Sequence, residues 1–313
     1  MSTRKITLNT EWLSVCGGCH VAILDLHEKI LEVMKVVDIQ RSPLLMDEKA
    51  FPAADIGLVS GAVRTDHDRE MAERMRAACK TVVAFGTCAV YGGIPGAALA
   101  HEPQEILDQV YKKSPSTDAS KGVVPCRRVP EMTYAVRPLD EVVDVDLYLP
   151  GCPPHAAFIF DALLSLTKGR PPRARQETVC ARCKRVMEKR ECAELKGALD
   201  GIPDNDVCFM SQGYVCMGSV TLDRCLAPCP SNGMPCTGCA GPTGPILTEP
   251  NRDIRTEVAT RMARLTNIPR DAVIAKIERT AKSRYAYAMA SGMIRHKPTF
   301  LINKWIEEVE RVS

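Results

Sequence analysis

Twelve of the chain's fifteen cysteines fall into three sets of four, and this distribution limits the folds open to it. The first set, Cys16, Cys19, Cys88 and Cys152, is scattered over more than a hundred positions. The other eight share one short stretch: Cys180, Cys183, Cys208 and Cys216, then Cys225, Cys229, Cys236 and Cys239. A fold that uses the first set must bring distant loops to one place. A fold that uses the other two must organise a Gly- and Pro-rich segment with little periodicity.

The apolar pattern shows how the scattered set can converge. Residues 4–10 form an extended segment ahead of Cys16. Residues 20–37 carry Ile23, Leu26, Ile30 and Met34 at helical steps. Asp55–Val63, Thr81–Phe85 and Val145–Leu149 are short apolar runs suited to buried strands, while 66–78 and 156–166 have helical patterns. Strands alternating with helices predict an α/β fold with a mostly parallel sheet covered on both faces. Cys16, Cys88 and Cys152 then each follow a strand, at the carboxyl edge where open α/β sheets bind ligands. Cys16-Gly-Gly-Cys19 also opens a helix, whose free N–H groups favour thiolates.

Beyond Pro171 and Pro172, which read as a linker, residues 178–245 hold eight ligand candidates and are expected to have little apolar core, so that metal coordination supplies the folding free energy. Residues 250–313 return to helical patterning, with Val258, Met262 and Leu265 on one face and Ile302, Trp305, Ile306 and Val309 on another.

Three sets of four thiolates match three 4Fe–4S clusters, with one cysteine per iron. Zinc also takes four thiolates, so a zinc-stabilised interaction protein is the competing reading. A lone C-x-x-C would suit thiol exchange, but two further cysteines reach the same sheet edge. An odd cysteine count opposes a fully paired disulfide framework. Cys79 reads as a small buried side chain, Cys192 as a non-ligand, and Cys126 as surplus beside the first set. His20 and His155, each next to a candidate ligand, read as structural residues or N–H donors to sulfur. Asp25 and Glu28 read as exposed helix charges. There is no G-x-G-x-x-G and no Walker A motif.

Composition excludes other classes. A net charge of +3 with few aromatics speaks against nucleic acid as a partner. No apolar run approaches the ~20 residues that span a bilayer. The first nine residues lack an apolar signal region, so a cytoplasmic location is expected.

Cys-Gly-Gly-Cys, then Gly-Thr-Cys88-Ala, then Pro-Gly-Cys152-Pro-Pro resemble the small subunit of nickel–iron hydrogenases, over nearly the whole chain. The resemblance implies a flavodoxin-like domain holding a proximal 4Fe–4S cluster on Cys16, Cys19, Cys88 and Cys152, against a large subunit that carries the nickel–iron centre. A small irregular iron–sulfur (ferredoxin-like) domain and C-terminal helices would follow, with boundaries at 1–172, 173–246 and 247–313. Cys180, Cys183, Cys208 and Cys216 map onto the distal cluster. Cys225, Cys229, Cys236 and Cys239 map onto the medial one, all three clusters being 4Fe–4S. The stretch Asp206-Val-Cys-Phe-Met-Ser-Gln-Gly-Tyr-Val-Cys-Met-Gly, with Met-Pro-Cys-Thr-Gly-Cys after it, is similar to the cytosolic F420-non-reducing type. That type implies electron transfer through a small 2Fe–2S subunit to heterodisulfide reductase. The F420-reducing type and a free-standing polyferredoxin-like carrier are the alternatives.

Overall fold

Apolar runs flanked by helical patterns become a parallel sheet buried on both sides. A computed structural model describes residues 4–116, 121–172, 176–279 and 287–295. In chain order the first part contains β1 (Ile6–Trp12), α1 (Gly18–Leu24), α2 (Ile30–Val36), β2 (Val37–Arg41), β3 (Ala54–Ser60) and β4 (Val63–Thr65). It continues with α3 (Asp66–Ala78), β5 (Cys79–Phe85), α4 (Thr87–Tyr91), α5 (Pro103–Tyr111), β6 (Met132–Arg137), β7 (Leu147–Leu149) and α6 (Ala156–Thr167). The sheet has five parallel strands in the order β2-β1-β3-β5-β7. A separate antiparallel ribbon pairs β4 with β6.

Alternation along β5 serves both faces. Val83 and Phe85 pack with Leu26, Val33 and Ile159, while Val82 and Ala84 pack with Met71 and Met75 of α3. Burying each such side chain contributes about 1.5–3 kcal/mol. The α3 helix starts at a capping box: Asp68 N–H donates to the Thr65 hydroxyl, and the Asp68 carboxylate accepts the Thr65 N–H.

Two expectations fail in detail. The helix expected over 20–37 breaks after Leu24, passes a single 3-10 turn at His27–Lys29, and restarts at Ile30. His27 sits at φ 50, which ends a right-handed helix. Its last residues then run directly into β2, an edge strand. That strand was invisible because it is five residues long and no Gly or Pro separates it from the helical pattern. The run 55–63 likewise splits at Gly61, whose φ of +94 turns the chain from β3 into β4.

The later segment contains the short helices α7 (Val179–Arg182), α8 (Pro228–Ser231) and α9 (Gly244–Thr248), then α10 (Ile254–Leu265) and α11 (Arg270–Arg279). The expectation of little apolar core here is overturned. Phe209, Met210, Tyr214 and Met217 are at most 2% exposed, and they join one core with Met75 of α3 and Val258 and Met262 of α10. These residues lie in loops and one turn, so they leave no periodic trace in the sequence. Val258 and Met262 share the buried face expected of them, with Leu265 at its margin. Ile302, Trp305, Ile306 and Val309 lie outside the described residues. Among the described residues no helix is long and apolar enough to cross a membrane.

Candidate metal centres

Cys16 follows β1, Cys19 lies in the first turns of α1, Cys88 lies on α4 directly after β5, and Cys152 follows β7. The parallel sheet thus delivers all four to its carboxyl edge. The Gly86 turn after β5 lies against both the Cys19 sulfur and the Gly151 carbonyl, next to Cys152. Burial pushes the Cys19 thiol far up, and Cys88, Cys152 and Cys16 push it further. Burial, then Cys152 and Cys16, hold Cys88 up at about 12, against a backbone N–H from Ile94. Cys152 is raised by burial and then by Cys16. The Gly18 N–H donates to the Cys16 sulfur at 3.4 Å. Two glycines make room for the group: a methyl at Gly86 (φ +86) would overlap the Cys19 sulfur, and one at Gly93 (φ +53) the Cys88 sulfur.

In the second segment, Cys180, Cys183, Cys208 and Cys216 line one crevice, with Arg185 and Arg261 at its wall. Burial, then Cys216 and Cys208, raise Cys180 to about 12, and Arg261 opposes them. Cys216 reaches about 11 through burial, with the Gly218 and Cys236 N–H groups holding it down. The remaining four form a third neighbourhood. Cys239 is pushed up to about 12 by burial, then by Cys152, Cys225 and Cys229. Cys236 is raised well above the ordinary range by burial, then by Cys216, while Cys239 and Cys225 add to it. Cys225 is raised by burial, with Asp223 and Cys229 adding to it.

Thiols this resistant to ionisation become thiolates only where cations replace the protons, as metal ions do. Among the described residues no three His, Cys, Asp or Glu side chains lie close enough to hold one metal ion. Four thiols in one neighbourhood are a donor set of the kind a 4Fe–4S cluster takes, one cysteine to each iron. The grouping also has an order. Thr87, beside Cys88 of the first set, donates its hydroxyl to the Cys239 carbonyl of the third at 2.7 Å, and the Cys236 N–H of the third donates to the Cys216 sulfur of the second at 3.3 Å.

His20 and His155 hydrogen-bond to groups other than sulfur. His20 is 2% exposed, lies between the Trp12 and Phe85 rings, and pairs its Nδ1 with the Ser60 hydroxyl at 3.1 Å. His155 caps α6 by accepting the Ala157 N–H. Asp25 and Glu28 are exposed, and Cys79 is buried at the start of β5. Cys126 is exposed, and the Cys192 thiol donates to the Glu194 carbonyl. Sequence reasoning missed Glu11 and Arg41, a buried ion pair at 2.7 Å near the same sheet edge. It also missed the part played by Thr87, although Thr87 stands inside the Gly-Thr-Cys motif. Nothing in the sequence links Glu11 to Arg41, because the link forms only when β2 lies beside β1.

Residues 16–166 match the family described as NADH ubiquinone oxidoreductase, 20 Kd subunit. The chain is 40% identical, over 247 residues, to an F420-non-reducing hydrogenase subunit of Methanothermobacter thermautotrophicus; the match covers 77% of this chain and 80% of that protein. It is 36% identical over 312 residues to an F420-non-reducing hydrogenase iron-sulfur subunit of Archaeoglobus profundus, covering 90% of this chain and 95% of that one. A chain in the crystal structure of NAD+-reducing [NiFe]-hydrogenase in the H2-reduced state superposes with a TM-score of 0.53 at 36% identity, over 55% of this chain and 96% of that chain. The chain therefore belongs to the small-subunit family of group 3 nickel–iron hydrogenases, alongside the iron–sulfur subunits of the F420-non-reducing enzymes, and is a subunit of an oxidoreductase.

Proposed function

We propose that this chain relays electrons, released when its partner oxidises hydrogen, through three 4Fe–4S clusters to a small 2Fe–2S subunit and then to heterodisulfide reductase. As a hydrogenase small subunit it transfers electrons and pairs with a large subunit that carries the nickel–iron centre. In the relay, Cys16, Cys19, Cys88 and Cys152 hold the proximal cluster. Cys225, Cys229, Cys236 and Cys239 hold the medial cluster, and Cys180, Cys183, Cys208 and Cys216 the distal one.

The observation that supports it is that the third set is bonded to both others: Thr87, beside Cys88, donates to the Cys239 carbonyl at 2.7 Å, and the Cys236 N–H donates to the Cys216 sulfur at 3.3 Å. A medial set that adjoins both others is the arrangement a relay requires. When bound, the clusters supply one-electron redox chemistry. The chain's own residues space the thiols, bury Cys19, Cys88, Cys216 and Cys236, and aim backbone N–H groups at sulfur, which tunes the reduction potentials. The acceptor rests on the likeness to the F420-non-reducing relatives. The domain boundaries at 1–172, 173–246 and 247–313 belong to the same proposal, as does a cytoplasmic location, a reducing compartment where disulfides are rare.

Anaerobic purification of the native complex with quantitation of metal and sulfide tests this. The relay predicts about twelve iron and about twelve sulfide for this chain, with nickel in the larger subunit. Zinc in place of iron and sulfide would instead establish a zinc-stabilised interaction protein.

A further inference from the structure

Thr87 ties the first cysteine set to the third through its side chain. It is 1% exposed and begins α4, directly before Cys88. Its hydroxyl donates to the main-chain carbonyl of Cys239 at 2.7 Å. The same oxygen accepts the N–H of Gly151, the residue before Cys152, at 3.0 Å. Its own N–H donates to the Gly151 carbonyl at 2.8 Å, which closes a two-way link between the Cys88 and Cys152 loops.

A threonine hydroxyl has a single proton. Here that proton is committed to Cys239, so the hydroxyl cannot turn elsewhere without leaving the Cys239 carbonyl without this bond. The branched Cβ further restricts χ1. One rigid group therefore fixes the positions of three loops, two from the first set and one from the third.

We infer that Thr87 is a positioning residue that sets the separation of the proximal and medial clusters, and with it the rate of electron transfer between them. This rests on the cluster assignment proposed above. Tunnelling falls steeply with distance, so displacing the Cys239 loop by a fraction of an ångström slows transfer without removing any ligand.

The experiment uses the holo complex with its large subunit, in wild-type, Thr87→Val and Thr87→Ser forms. Iron and sulfide are measured first. Zinc or missing iron in the wild type would overturn the cluster assignment, independently of how the variants compare. With clusters present, Thr87→Val is expected to keep wild-type iron while its proximal–medial spin–spin interaction, read by EPR of the reduced complex, weakens. Hydrogen-driven reduction of the medial cluster is expected to slow several-fold. Thr87→Ser, which keeps the hydroxyl, restores both. An unchanged interaction and rate in Thr87→Val would overturn the inference, as would a Thr87→Ser variant indistinguishable from Thr87→Val. Should Thr87→Val fail to accumulate, Thr87→Ala, which adds no volume, carries the same comparison.

Discussion

The backbone N–H of Cys236 donates to the sulfur of Cys216 across 3.3 Å, inside a fully buried contact between the third and second cysteine sets. The next residue along, Met217, returns its N–H to the Cys236 carbonyl at 2.9 Å. Two sets separated in sequence by loops are thus bonded through their own ligand candidates. An N–H aimed at sulfur favours the thiolate, and at a cluster ligand it raises the reduction potential.

Replacing Cys216 with serine removes one thiolate and the acceptor of that bond. The complex is expected to lose about four irons, one cluster's complement, and to retain the signals of the first set. Iron analysis with EPR of the reduced complex checks this. Iron lost from the first set as well would show that the sets do not bind metal independently.

Gly86→Ala places a methyl against the Cys19 sulfur and forces a side chain onto φ +86. Backbone strain alone costs about 1–3 kcal/mol, and the overlap adds to it. The expected outcome is a complex without the proximal cluster and without hydrogen-driven viologen reduction. Gly169→Ala is the control: its φ is +64, but nothing lies within 4 Å of the added methyl. It should cost only the strain and leave iron content unchanged, as the same metal analysis would report.

Arg41 and Glu11 form a buried ion pair at 2.7 Å, with Arg41 stacked on the Phe51 ring at 4.0 Å. Burial raises the Glu11 pKa and Arg41 opposes it. Arg41→Met strands the carboxylate, and breaking such a pair costs about 3–5 kcal/mol. The double variant Glu11→Leu with Arg41→Met should recover most of the loss. Thermal unfolding of the wild-type, single-variant and double-variant complexes decides it. A double variant as unstable as Arg41→Met alone would mean that the lost packing on Phe51, and not the stranded charge, sets the cost.

Burial depresses the His20 pKa to about 4, below the ordinary value near 6.5. Between those values the unfolded chain binds a proton that the folded chain refuses. Stability therefore rises with pH across that window, and is lost as pH falls from about 6.5 towards 4. The shift corresponds to at most about 3 kcal/mol. A melting profile between pH 7.5 and 5 should slope downward towards acid in the wild type and be flatter in His20→Gln. Parallel profiles would assign the acid sensitivity to other groups.

The strands expected at 81–85 and 145–149 and the helices expected at 66–78 and 156–166 correspond to β5, β7, α3 and α6 with ends shifted by at most two residues, and were legible because they are compact apolar or helical patterns ending near Gly86, Pro150 or a capping residue. The break at His27 and the strand β2 were not, since an edge strand is defined by its neighbour and not by its own pattern. Phe209, Met210, Tyr214 and Met217 were hidden for a related reason. Loop residues have no period, and only the packing of α3 and α10 around them makes them core.

The sequence by itself determined the α/β alternation and the sheet-edge placement of Cys16, Cys88 and Cys152, because these follow from local pattern and spacing. Only the tertiary structure decided which set adjoins which, that Thr87 bridges Gly151 and Cys239, and that Glu11 is neutralised by Arg41. Those relationships join residues far apart in the chain, by as much as 152 positions between Thr87 and Cys239. They exist only once the parallel sheet and the segment packed against it have closed the intervening loops.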